Sequence, residues 1–323
     1  MTITAKVISD SISVSGARIT TCELEYPRFI HAEFMTHRVF SRNAASSRAI
    51  PVRSAIELIR NNTAAPIHWG KNQPGMSARE ECNATVTLAA EFAGFTNPED
   101  SGWNYATTNI LREQAWRLAR NSAISAASSF DAAGYHKQIV NRLLEPFSHI
   151  KVVVTSTEWD NFFNLRCHPD AQPEIQKLAQ AIKDAMDGSD PVCLDYGDWH
   201  VPYYKDGIWY RAEDSTPIEE ALMISASCCA QVSYRKNDAT IEKARSIYQR
   251  LVDAEPPHMS PFEHQATPVR VMPSEGGQTF EYDIEGWRPG ITHVDRFNDA
   301  WSNNFRGWIQ NRALVDAKRP QAF

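Results

Sequence analysis

The chain has 323 residues, enough for one large core or two modest ones. Hydrophobic residues make up 42% and charged residues 22%, values that exclude a disordered chain. A formal net charge of −6 argues against a general nucleic-acid binder, which must neutralise phosphates, so no nucleic-acid polymer is expected as a partner. No run of about 20 apolar residues occurs, so no membrane span is expected. The opening MTITAKVISDSISVSG lacks a basic region followed by an apolar core, so no secretory signal is expected either. The six cysteines are scattered, with Cys228 and Cys229 adjacent, and suit neither a disulfide framework nor a zinc pattern. The expected setting is a reducing cytoplasm.

In chain order, residues 17–34 read as strand, with Ile19, Thr20, Thr21, Tyr26, Phe29 and Ile30 around a break at Pro27. Residues 53–61 read as a short helix, and 63–83, with Pro66, Gly70, Pro74 and Gly75, as a loop over a site or at an interface. Helices are expected over 80–95 and 105–130. The second carries Ile110, Leu111, Ala115, Leu118 and Ala119 at helical spacing, then small residues suited to a core or a subunit interface. Residues 134–146 read as helix, 150–155 as strand, 158–165 as a short helix and 174–186 as a longer one. Residues 187–216 are turn-rich and aromatic and read as a linker or excursion. Helices follow over 217–232 and 239–252, then a loop over 256–261 and a strand over 266–272. A final helix is expected over 293–315, with Val294, Phe297, Trp301, Phe305, Trp308 and Ile309 forming a core stripe.

The chemistry concentrates between Phe34 and Ala55. This stretch holds no carboxylate, and Arg38, Arg42, Arg48 and Arg53 supply four guanidiniums. Thr36, Ser41, Asn43, Ser46 and Ser47 lie among them as short donors. Guanidinium forks and small donors suit phosphate oxygens, so a small anionic ligand fits, though a solvated basic face has the same composition. A second segment runs Asn161-Phe-Phe-Asn-Leu-Arg166, and a third His258-Met-Ser260-Pro-Phe-Glu263-His264. Pro261 breaks the helical register that metal-binding helix motifs use, so no metal site is expected there. No G-x-G-x-x-G after a strand, Walker A loop or G-x-S-x-G elbow is present.

Thr36-His37-Arg38 followed by Ser41, Asn43, Ser46 and Arg48 resembles the signature of the flavin-dependent thymidylate synthases. Thr36, Glu33, Ala44 and Ala49 stand where that family usually has arginine, glutamine, glutamate and tyrosine. The Asn161–Arg166 stretch is similar to the family's Asn-Phe-Leu-Asn-Leu-Arg element, with Asp170 where histidine is common. His258 to His264 resembles its His-x-Thr/Ser-Pro-x-Glu-His element, which binds flavin from a neighbouring subunit. Ala230-Gln-Val-Ser233-Tyr234 resembles a further flavin-contacting element. The last two come after Arg166 here and before the arginine-rich element in the usual arrangement. The resemblance therefore implies a circular permutation or a duplication, and permutation is favoured. Asn304 to Arg312 looks like a degenerate second copy of the arginine-rich passage.

The resemblance implies an α/β (α+β) fold with a mixed sheet and long flanking helices, acting as a homotetramer. Residues 1–187 would form a nucleotide- and flavin-binding part, 188–216 a linker, and 217–323 the rest of the same catalytic domain. FAD would be held by His37, Arg38, Ser41, Asn43, Asn161, Ser233, His258, Ser260 and Glu263. The nucleotide would be held by Glu33, Ser46, Ser47, Arg48, Arg142 and Arg166, with Arg166 polarising the pyrimidine as the catalytic residue. The implied reaction carries a one-carbon unit from 5,10-methylenetetrahydrofolate to C5 of dUMP, with NADPH as reductant. Transfer to dCMP, or a hydroxymethyl product, would use the same scaffold, because Glu33, Thr36, Ala44 and Ala49 touch the nucleotide side. A non-catalytic nucleotide- or flavin-binding protein is the third reading.

Overall fold

The computed structural model describes residues 2–75, 77–89, 107–233, 238–273, 280–283 and 289–318. Its main sheet has five strands: β1 (Thr4–Ser13), β2 (Arg18–Pro27), β3 (Ser41–Ala44), β4 (His149–Ser156) and β5 (Val192–Leu194). They lie in the order β3-β4-β2-β1-β5, antiparallel except for β5, which runs parallel to β1. The fold is therefore mixed α+β with a mixed sheet.

From Val152 to Thr155 strand β4 is an unbroken β-branched run, because both of its faces are covered there. On one face Val152 and Val154 pack with Leu24, Tyr26, Phe34, Phe40 and Phe162 beneath helix Pro173–Asp187. That helix starts with proline in its first turn, where the missing N–H costs nothing, and Gln172 caps it by accepting from the Ile175 N–H at 3.0 Å. Its Ile175, Leu178 and Ile182 are fully buried, each contributing roughly 1.5–3 kcal/mol of transfer free energy. On the opposite face Val153 meets Cys229 and Val232, at and just beyond the end of helix Ile218–Ala230. Helices Val52–Asn61 and Arg112–Ala132 form a satellite core with Val140 and Leu144.

Several sequence expectations give way. The strand expected through residue 34 stops at Pro27 and turns helical over Arg28–Ile30 and His31–Phe34. Val86–Ala89 is a strand paired with Thr107–Ile110 rather than helix, and residues 90–106 lie outside those described, as does Tyr234. Residues 137–147 form two short helical pieces rather than one helix. Residues 187–216 supply β5 and the strand pair Trp199–His200 and Ile208–Trp209.

The largest correction is at the end of the chain. Residues 293–310 form short antiparallel strands, and only Asn311–Ala317 is helical. Asn298, Asn303 and Gly307 take left-handed backbone, at φ 63°, 54° and 73°, and each breaks the helical repeat. A Cβ on Gly307 would also stand 2.8 Å from both the Ala17 Cβ and the Tyr282 hydroxyl. Phe305 and Trp308 reach the core as expected, while Phe297 stays 71% exposed. Among the described residues no helix is long and apolar enough to cross a membrane.

Candidate active site

The arginine-rich segment is anchored by β3, whose register pairs Ser41 with Thr155 and Asn43 with Val153. Alternation then buries Ser41 and Asn43 and turns Arg42 to the other face. Arg42 Nη1 donates to the carbonyls of Phe34 at 3.2 Å and His37 at 3.0 Å, so this guanidinium braces the preceding loop. Burial, with Arg166 and Arg42 nearby, pushes the His37 imidazole down to about 4, so it is neutral near pH 7. Its ring meets Phe162 edge to face at 4.8 Å.

Helix Asp160–Arg166 buries Phe162 in that aromatic cluster, which fixes where its last residue points. Arg166 Nε donates to His37 Nε2 at 3.0 Å, and Nη2 reaches Thr36 Oγ1 at 3.4 Å. A histidine that accepts at Nε2 carries its proton on Nδ1. The first two motifs therefore meet through Arg166, by a close bond to His37 and a longer one to Thr36. Asn161, on the same helix, is exposed.

A second meeting point joins the first motif to the Val232-Ser233 element. The Ser46 N–H donates to Ser233 Oγ at 2.9 Å. Ser47 Oγ donates to Glu145 Oε1 at 2.7 Å, and Arg28 and Arg142 approach the same carboxylate at 3.5 and 3.6 Å. Ser47, Glu145 and Ser233 line a mainly apolar cavity of about 520 Å3, together with Leu58 and Leu144.

The third motif reaches the arginine-rich loop from the other side. Glu263 ends a short turn, Ser260–Glu263, and ion-pairs with Arg312. Burial raises the Glu263 carboxyl, while Arg312, Ser41 and Arg42 oppose that rise. Glu263, Arg38, Arg42, Gln310 and Arg312 line a polar cleft of about 450 Å3. His258 and Ser260 are exposed, and with Glu33, Arg48, Arg142 and Asn161 they line neither of these two cavities. Glu33 lies in the turn before the loop, its carbonyl accepting from Thr36 Oγ1 at 2.7 Å.

Residues 17–192, more than half the chain, match the family model described as thymidylate synthase complementing protein. The chain belongs to this family, the flavin-dependent thymidylate synthases. No curated protein matches the sequence. Solved structures similar to it include the UMP/dUMP methylase PolB from Streptomyces cacaoi, bound with 5-Br dUMP. That structure is 14% identical with a TM-score of 0.38, covering 57% of this chain and 90% of PolB. The same enzyme bound with 5-Br UMP is 16% identical with a TM-score of 0.38, covering 57% and 88%.

Within this thymidylate synthase fold, the residues that sequence reasoning missed are mostly partners of motif residues. Glu145 gathers Ser47, Arg28 and Arg142, and Gln310 and Asn304 both bond Ser41 Oγ, at 3.2 and 3.1 Å. Behind them a buried polar row crosses the sheet. His264 Nδ1 and Thr155 share a hydrogen bond of 2.8 Å, Thr155 and Thr21 one of 2.7 Å, and Thr21 and His200 Nε2 one of 2.8 Å. His200 Nδ1 then meets Ser11 Oγ at 2.9 Å and Ser9 Oγ at 3.0 Å. The alternation of Ser9 and Ser11 in β1 was the available signal, because a spacing of two places them on one face, whereas Thr21 and Thr155 are single positions in β2 and β4.

Proposed function

We propose that this protein transfers a one-carbon unit from 5,10-methylenetetrahydrofolate to C5 of dUMP, giving dTMP, with FAD as cofactor and NADPH as reductant. The observation that carries the reading is Arg166 held by a neutral His37 at 3.0 Å, beside a loop rich in phosphate-binding donors. An oriented positive charge stabilises the enolate-like pyrimidine that forms when C5 acts as nucleophile. Ser46, Ser47, Arg48 and Arg142 would hold the nucleotide phosphate, and Glu33 the base side.

The residues present fit a flavin dinucleotide. Asn43 Oδ1 is buried with no hydrogen-bond partner among the described residues, and the neighbouring cleft gathers three guanidiniums around Glu263. His37, Arg38, Ser41, Asn43, Asn161, Ser233 and Glu263 would hold FAD from one chain. The exposed His258 and Ser260 suit contact with a cofactor shared between chains, in keeping with a homotetramer. FAD would supply the redox and one-carbon carrier chemistry that no side chain offers. The parts 1–187 and 217–323 would then build one catalytic unit, since Ser46 and Ser233 come from either side of the division.

Absorbance of the purified protein and mass analysis of products from dUMP and dCMP test this reading. Flavin absorbance, present or gained with FAD, and a methyl addition to dUMP are expected. Failure of folded protein to bind FAD at high micromolar concentration overturns it, and modified dCMP moves it to the sister activity. Light scattering should report a tetramer.

A further inference from the structure

One wall of the polar cleft comes from residues 303–316, outside the segment 17–192 that matches the family model. Gln310, fully buried, fixes that wall. Its Nε2 donates to Ser41 Oγ at 3.2 Å, to the Glu263 carbonyl at 3.2 Å and to Asn304 Oδ1 at 3.1 Å. Its Oε1 accepts from Asn303 Nδ2 at 2.8 Å, and Asn304 Nδ2 donates to the Val39 carbonyl at 2.9 Å. The end of the chain thus grips the arginine-bearing loop and the Glu263 turn at once.

Into this frame projects Arg312. It pairs with Glu263, and its Nε reaches Asp316 at 3.4 Å, yet its side chain keeps 39% exposure. Among the described residues that line it only Phe40 is apolar, and Arg38, Arg42 and Arg312 outnumber Glu263 and Asp316 by one charge. Such a cleft is a poor host for a planar apolar ring and a good one for phosphate oxygens. Arg42 gives Nη1 to two carbonyls, and Arg312 gives Nη1 to Glu263 and Nε to Asp316, so a phosphate would meet the remaining N–H groups of Arg312 and the exposed Arg38.

We propose that Arg312 binds phosphate oxygens of a dinucleotide in this cleft, making the C-terminal segment part of the ligand site. Naming that dinucleotide FAD rests on the function proposed above, whereas the phosphate chemistry rests on the cleft alone. Glu263 orients Arg312 and competes with the phosphate for it.

Isothermal titration of the full chain with FAD and, separately, with inorganic pyrophosphate tests the assignment, with Tm read alongside. Arg312→Gln should weaken both ligands by about 10- to 100-fold, the range for a hydrogen bond to a charged group. If wild type binds FAD and the variant binds FAD or pyrophosphate just as well, the assignment is overturned and the flavin reading stands. If wild type binds pyrophosphate but not FAD, the flavin reading falls and the variant still decides the cleft. Binding of neither ligand sinks both. Should Arg312→Gln not fold, Glu263→Gln reads the same contact with opposite sign. Freeing Arg312 should tighten pyrophosphate severalfold, and unchanged or weaker binding overturns the assignment.

Discussion

Arg166 is oriented by His37, a neutral acceptor 3.0 Å from its Nε. A carboxylate in that place would fix the guanidinium equally well but cancel its charge. Arg306, paired with Glu158 at 2.7 Å, is held in that second way. Among the described residues no carboxylate pairs with Arg166, so its charge remains available to a ligand.

Arg166→Ala should therefore lose turnover by on the order of 100- to 1000-fold, the usual cost of one preorganised donor aimed at developing charge. Its Tm should stay within a few degrees of wild type, because a half-buried hydrogen bond to neutral histidine contributes only about 1 kcal/mol. Product formation and a thermal melt decide it. Normal turnover removes Arg166 from the chemistry, and an unfolded variant makes it structural.

Arg48 is exposed and follows Ser46 and Ser47 on the short turn Ser47–Ala49. Arg48→Ala should raise KM for the nucleotide and leave kcat near wild type, the signature of a contact made equally in ground and transition states. Steady-state kinetics against nucleotide concentration separate the two constants, and a lowered kcat with unchanged KM contradicts the phosphate role.

The buried polar row makes a different demand. Thr155 Oγ1 serves both Thr21 and His264 Nδ1, while His264 Nε2 is buried with no partner among the described residues. Thr155→Val keeps the volume and removes the hydroxyl, leaving His264 Nδ1 unpaired and Thr21 Oγ1 with His200 alone. Each unsatisfied group costs about 1–3 kcal/mol, so Tm should drop by several degrees. An unchanged melt would show that water or a shifted neighbour replaces the hydroxyl.

Acid should unfold the protein through its histidines. Burial holds His200 and His264 down to about 3, and His37 and His31 to about 4, from an ordinary 6.5. Below pH 6.5 the unfolded chain takes up protons that the folded chain refuses, so stability falls as pH falls. For the fully buried His200 and His264 the slope approaches about 1.4 kcal/mol per pH unit each. Urea midpoints measured at falling pH check this, and the Thr21→Val variant, which strips His200 of a partner, should start from a lower plateau.

Much of the framework was legible because its signals are local. The β-branched run of β4, the apolar face of residues 174–186 and the arginine-rich loop each declare themselves within a dozen positions. Arg166 and His37 were both marked from sequence, yet their bond joins residues 129 positions apart, which no local pattern encodes. The segment 293–310 misled for a physical reason. Aromatic residues three and four apart satisfy a helix or a run of tight hairpins, and the deciding left-handed turns at Asn298, Asn303 and Gly307 leave only weak traces. Glu145 was missed because a lone acid in a helical stretch carries no sign of the cations that gather on it.

The bond between Ser41 and Gln310 spans 269 positions, and this sets an order in time. At about 5–20 residues per second a ribosome finishes the arginine-rich loop roughly 10 to 50 seconds before Gln310 exists. Once Thr155 has also been made, the sheet face that will meet His264 and Gln310 stays uncovered until those residues follow. It presents Ser9, Thr21 and Thr155 in neighbouring strands, a stripe that water can solvate. The hydroxyls that must all find partners in the finished protein are thus the ones that keep the unfinished sheet from sticking to its neighbours.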